Sequence, residues 1–137
     1  ALLREVGGER RMLPIFIGAP EATAIAFALE EVMTPRPMTH DLLRNIIIEC
    51  QLSASSVVIT DLLENTFYAR IELKDKADDP VMLDARPSDA IALALRLDCP
   101  IFVEQKVIDL SSSSNPVDGG PSDETDIATD DWPELIG

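Results

Sequence analysis

The segment Gly18-Ala19-Pro20-Glu21-Ala22-Thr23-Ala24-Ile25-Ala26-Phe27-Ala28-Leu29 occurs a second time, altered, as Asp84-Ala85-Arg86-Pro87-Ser88-Asp89-Ala90-Ile91-Ala92-Leu93-Ala94-Leu95. Each copy reads as a helix. The proline suits a first turn, where its missing N–H costs nothing, and the acidic residue that follows suits the positive end of the helix dipole. The Ala-Ile-Ala-x-Ala-Leu run is apolar on most faces, so it must be covered on most sides, within the chain or by another copy. What precedes each helix also matches in kind: Tyr68 to Leu97 retraces Ala1 to Glu31 as strand, turn, strand, helix. Strand pairs followed by helices, rather than strict βαβ alternation, predict an α+β fold. The copies differ at their entry, Gly18-Ala19-Pro20 against Asp84-Ala85-Arg86-Pro87, so chemistry is expected on the second.

Composition bounds the rest. A chain of 137 residues, 46% apolar, can bury one core and supports one domain. No run is long and apolar enough for a membrane span, and the start lacks the pattern of a secretory signal. Cys50 and Cys99 match no metal-ligand spacing and read as reduced packing residues, which points to the cytoplasm. The net charge of −14 is unevenly spread: residues 111–137 hold seven acidic side chains and no basic one. Such a chain repels a polyanion overall, which excludes a general nucleic-acid coat protein, and any phosphate site must be local. Eight of the eleven basic residues are arginine, suited to planar, bidentate contacts. The Ser, Pro, Gly and Asp content of 111–137 predicts a flexible acidic tail, with Trp132 and Leu135 as anchors if it docks. The folded domain is therefore placed at 1–110.

Within it, Leu3 to Val6 and Arg11 to Ile17 read as a hairpin about Gly7-Gly8, with Pro14 at an edge or bulge. A first helix covers 20–32. Thr34-Pro35-Arg36-Pro37-Met38 must be extended, and Thr39 is expected to cap a helix to about Gln51. Val57–Leu63 and Thr66–Lys74 form a second hairpin about Glu64-Asn65. The second of these strands alternates cleanly, with Phe67, Ala69, Ile71 and Leu73 on one face. Val81 and Leu83 then face the core, with Asp84 on the opposite face. A helix over 87–97 and a short strand over 100–104 complete the reading. The architecture is thus two strand-strand-helix units plus an extra helix around residues 39–51.

Candidates for chemistry are few. The chain has no Gly-rich phosphate loop, serine nucleophile elbow or His-rich metal motif. His40, the only histidine, stands beside Asp41 in the first turn of its helix, and either can carry a proton or simply bond within the turn. Asp84 and Asp89 are the pair that would hold a hard divalent ion, since Mg²⁺ keeps most of its waters and needs one or two carboxylates. They are equally readable as an arginine's partner and a helix cap. Arg36 and Arg86 each precede a proline on extended backbone, as phosphate clamps or as partners of nearby acids.

Three stretches in order, Leu13-Pro14-Ile15-Phe16-Ile17-Gly18, Thr34-Pro35-Arg36-Pro37-Met38-Thr39-His40-Asp41-Leu42 and Asp84-Ala85-Arg86-Pro87-Ser88-Asp89-Ala90-Ile91-Ala92, resemble the bifunctional nuclease domain family of bacteria and plants. The resemblance covers about residues 1–108. It implies an α+β domain with a further strand ahead of residue 1, and nuclease activity on RNA and DNA. On this expectation Asp84 and Asp89 hold Mg²⁺ or Mn²⁺, His40 or Asp41 transfers the proton, and Arg36 and Arg86 hold the phosphate in the transition state. The rival expectation is a non-catalytic interaction or regulatory module whose charged motifs hold the fold together. The low aromatic content, a poor stacking platform for single strands, favours that rival. Under either, the apolar repeat helices predict a homo-oligomer, a dimer first, unless they cover each other within one chain.

Overall fold

The computed structural model describes residues 2–4 and 11–113. In chain order the elements are β1 (Leu2–Arg4), β2 (Met12–Pro14), α1 (Ala19–Leu29), α2 (Thr39–Glu49), β3 (Ser53–Leu63), β4 (Thr66–Lys74), β5 (Pro80–Ala85), α3 (Pro87–Leu97), β6 (Ile101–Val103) and α4 (Gln105–Ser113). This is an α+β fold in which the repeat is visible: the antiparallel pair β1–β2 leads into α1, and the antiparallel pair β4–β5 leads into α3. The first pair forms a sheet of its own, and the second belongs to a four-stranded sheet of order β5-β4-β3-β6. The Gly7-Gly8 turn and the acidic tail beyond residue 113 lie outside the described residues.

Alternation makes the sheet one-sided. Val57 and Ile59 of β3, Ala69, Ile71 and Leu73 of β4, and Ile101 and Val103 of β6 enter the core, while Tyr68, Met82 and Phe102 stay exposed on the other face. Helix α3 packs on the covered face against β3 and β4, and also against α1 and α2. That sandwich explains its apolar girth: Ala90, Ile91, Ala92, Leu93 and Ala94 are all buried. The two repeat helices cover each other within one chain. α1 is the outer partner and fully buries only Ile25.

Several boundaries differ from the sequence reading. Thr39 does not cap α2. The cap is Met38, whose backbone N–H donates to the Asp41 carboxylate in the first turn, the carboxylate half of a capping box. Leu83 shares Ile71's position in the register but is 42% exposed, because β5 is an edge strand. Of the two thiols only Cys99 is packing: it is buried, which pushes its pKa up to about 11, whereas Cys50 is exposed at the end of α2. β3 begins at Ser53, four residues earlier than its apolar run. Finally, α4 takes Ser111 to Ser113, which read as linker, into a helix that buries Val107 and Ile108.

Candidate functional site

Proline fixes the geometry from which the site grows. Arg86, ahead of Pro87, is held extended at φ −72° and ψ 147° and serves as N-cap of α3. Asp89, three residues on, lies within reach of it, and Arg86 Nε donates to Asp89 Oδ2 at 3.0 Å. The second copy's acidic first-turn residue thus grips its own cap residue. The first copy's acidic first-turn residue, Glu21, approaches the same guanidinium, with Oε2 3.5 Å from Arg86 Nη1. Gly18, the N-cap of α1, makes room for this, since a Cβ there would lie 2.6 Å from Glu21 Oε1. The two halves of the repeat therefore meet at Arg86.

The third member comes from α2. His40 Nε2 lies 2.8 Å from Asp89 Oδ1. Burial of Asp89 opposes its charge, but hydrogen bonds from His40 and Arg86 outweigh that and hold its carboxyl below the usual carboxylate value. An ionised carboxylate only accepts, so a neutral His40 must carry its hydrogen on Nε2 and its lone pair on Nδ1. Arg86 is held more firmly in its charged form, chiefly by the hydrogen bond to Asp89. The Arg86 side chain is 65% exposed and that of His40 only 14%, so the cluster has a wet end and a sheltered end.

Asp41 faces elsewhere. Its Oδ1 accepts from Arg96 Nε at 2.8 Å and its Oδ2 from the Met38 N–H at 2.9 Å, and the Arg96 bond first, then the Met38 bond, lowers its pKa. With both oxygens engaged, it is poorly placed to relay a proton. Arg96 escaped the sequence reading, although one arginine near the end of an otherwise apolar helix was a usable signal. It also donates to the carbonyls of Ala92 and Ala24. Beyond Asp41, an open groove of about 360 Å³ runs between residues 32–35 with Pro37 on one side and Arg44, Asn45 and Arg96 on the other.

The structure thus joins His40, Arg86 and Asp89 but not the other candidates. Asp84 sits on β5 opposite Arg70, exposed and without a side-chain partner among the described residues. Arg36 is exposed on the loop before α2. For a divalent ion the donor set fits poorly. Asp89 already serves a guanidinium and an imidazole, and no group of three His, Cys, Asp or Glu side chains among the described residues is arranged to hold a metal.

Comparison with known proteins converges on one family. The family described as "Bifunctional nuclease domain" matches residues 1–116. An uncharacterized protein of Mycobacterium tuberculosis is 48% identical over 107 residues, covering 78% of this chain and 62% of its own length. "Bifunctional nuclease 1" of Oryza sativa subsp. indica is 26% identical over 77% of this chain and 33% of its own. "Bifunctional nuclease 2" of Arabidopsis thaliana is 26% identical over 94% of this chain and 40% of its own. The chain therefore spans less than two thirds of each of these relatives.

Proposed function

The chain belongs to the bifunctional nuclease domain family, and on that premise we propose that it hydrolyses phosphodiester bonds of RNA and DNA at the His40–Asp89–Arg86 cluster. The observation that carries this reading is the 2.8 Å contact between His40 and Asp89, which ties together two motifs 49 residues apart. Asp89 orients the imidazole, and Nδ1 takes the proton of the attacking water, a role typically worth about 10²–10⁴ in rate. The water attacks phosphorus while the opposite P–O bond breaks and its leaving oxygen is protonated from solvent. Arg86 presents its exposed guanidinium to the phosphate. The long contact to Glu21 is easily exchanged for a phosphoryl oxygen, on which charge builds in the transition state. The Mg²⁺ or Mn²⁺ ion expected at Asp84 and Asp89 fits these residues poorly, and no step here depends on it.

The test is cleavage of single-stranded RNA and DNA with Mg²⁺, with Mn²⁺ and with EDTA. His40→Gln and Asp89→Asn should each lower the rate about a hundredfold or more. Rates within twofold of wild type in both would sink the assignment. Asp84→Ala reports on the ion alone, by changing the metal dependence. Besides the low aromatic content, the non-catalytic reading has one structural observation in its favour: the cluster's groups satisfy one another and fasten the starts of α1, α2 and α3. If that is their whole role, the variants lower stability and the wild type cuts nothing.

The dimer is also part of the proposal, on a surface other than the repeat helices. α2 leaves Leu42, Leu43 and Ile46 exposed on one stripe, with Cys50 a turn further on. Patches of about 300–600 Å² mark interaction sites on monomers. The stripe sets three large apolar side chains side by side. Its one carboxylate is Glu49, two turns after Leu42 at the end of the helix, so a second copy of an anionic chain meets little repulsion over the rest of it.

A further inference from the structure

The groove beyond Asp41 is rich in donors and short of acceptors. Asp41 has spent both oxygens, on Arg96 and on Met38, and the Thr34 hydroxyl donates to the Arg36 carbonyl at 2.6 Å. On the donor side, Arg44 uses Nε on the Arg96 carbonyl (3.3 Å) and one hydrogen of Nη1 on Asn45 Oδ1 (3.1 Å). Nη2 of Arg44 and the Asn45 amide nitrogen have no partner among the described residues, nor has the side chain of Arg36 on the rim. Two guanidinium groups, of Arg44 and Arg96, and one carboxylate line the groove, with Arg36 between two of its lining prolines, in a chain of net charge −14. Such a local inversion of sign focuses the field on small anions. The pyrrolidine rings of Pro35 and Pro37 add an apolar wall. A volume of about 360 Å³ lies within the range of small-ligand sites, roughly 300–1,000 Å³.

The geometry points to a binding site for the phosphate of a nucleotide in this groove, with Arg44 as its central contact, Arg36 closing from the rim and the prolines flanking base and sugar. Arg96, buried and already committed, is a positioning residue: its carbonyl and Asp41 hold Arg44 and the mouth of the groove in place. The site is separate from the cluster, because consecutive residues of α2 serve the two, His40 the cluster and Asp41 the groove. The assignment rests on the phosphodiester reading for why a nucleotide would come here. Its binding is measured without cleavage.

Calorimetric titration of the whole chain with inorganic phosphate, adenosine, adenosine 5′-monophosphate and a short single-stranded RNA is the test, with the Arg44 Nε–H followed by NMR. The nucleotide should bind at least tenfold more tightly than adenosine or phosphate and should shift the Arg44 signal. Arg44→Gln should weaken it tenfold or more. Arg36→Gln, exposed and harmless to folding, should weaken it several-fold. Tighter binding of the RNA assigns the groove to strand phosphates; equal binding assigns it to the free nucleotide. Phosphate binding as tightly as the nucleotide, or both variants binding like wild type, overturns the proposal. Nucleotide binding lost in Arg44→Gln while wild type cuts nothing would fell the nuclease reading and leave the groove standing. Cleavage lost in His40→Gln with nucleotide binding unmoved by Arg44→Gln would do the reverse.

Discussion

Arg96 donates to Asp41 on α2, to the Ala24 carbonyl on α1 and to the Ala92 carbonyl on its own helix, with only 8% of its side chain exposed. Lysine has no planar fork to reproduce that set. Its partner Asp41 has a lowered pKa, so the pair contributes stability above the ordinary carboxylate value of 3.8 and loses it as pH falls through the lowered value. Asp41→Asn should therefore cost about 1 kcal/mol at neutral pH, after discounting for the exposure of the carboxylate. The gap to wild type should close below about pH 3.8. Urea midpoints of both proteins between pH 2 and 7 measure this, and a gap that stays constant would mean the charge is idle. At this scale the sequence displayed His40, Arg86 and Asp89 as candidates, because proline and helix starts single them out. It did not display which carboxylate belongs to which base. Asp84 and Asp89 look alike in a string, and only the turn from β5 into α3 sends one to His40 and leaves the other facing solvent.

The β3–β4 hairpin turns at Glu64 and Asn65, both in the left-handed region at φ 51° and 65°. Glutamate is poorly suited to that conformation, whereas Asn-Gly favours this two-residue turn. The double replacement Glu64→Asn with Asn65→Gly should stabilise the domain by about 1 kcal/mol, read as a higher denaturation midpoint with unchanged slope. No gain would mean that the unfolded chain's added freedom cancels the relief. The boundaries of β4 and α3 coincide with the sequence reading because a strict alternation and a helix-starting proline mark them without outside help. Other elements depend on partners distant in sequence. The start of β3 at Ser53 is made strand by Leu73 and Lys74 opposite, and β6 by lying parallel to Val57–Ile59. α4 begins in a segment whose serines argue for a linker, and it is held by burial of Val107 and Ile108.

Over the whole molecule, apolar surface is distributed unevenly. α3 spends its own within the chain, while the stripe on α2 stays uncovered, and no described helix is long and apolar enough to cross a membrane. Ile46→Glu with Leu42→Glu should convert a dimer to a monomer in sedimentation at micromolar concentration while leaving the fold intact by circular dichroism. A wild type that is monomeric at the same concentration overturns the dimer. The parallel strand β6 has a different consequence, one of timing. Val57 donates to the Pro100 carbonyl and Glu104 to the carbonyl of Ile59, so one side of the central strand is completed only by residues 100–104. During synthesis β3, β4 and β5 emerge first, as a meander in which β3 is an outer strand with one bare edge. An exposed edge of this kind invites pairing with another chain. The short segment between α3 and α4 is therefore the closing piece of the sheet, and until it leaves the ribosome the nascent protein is open to aggregation along β3.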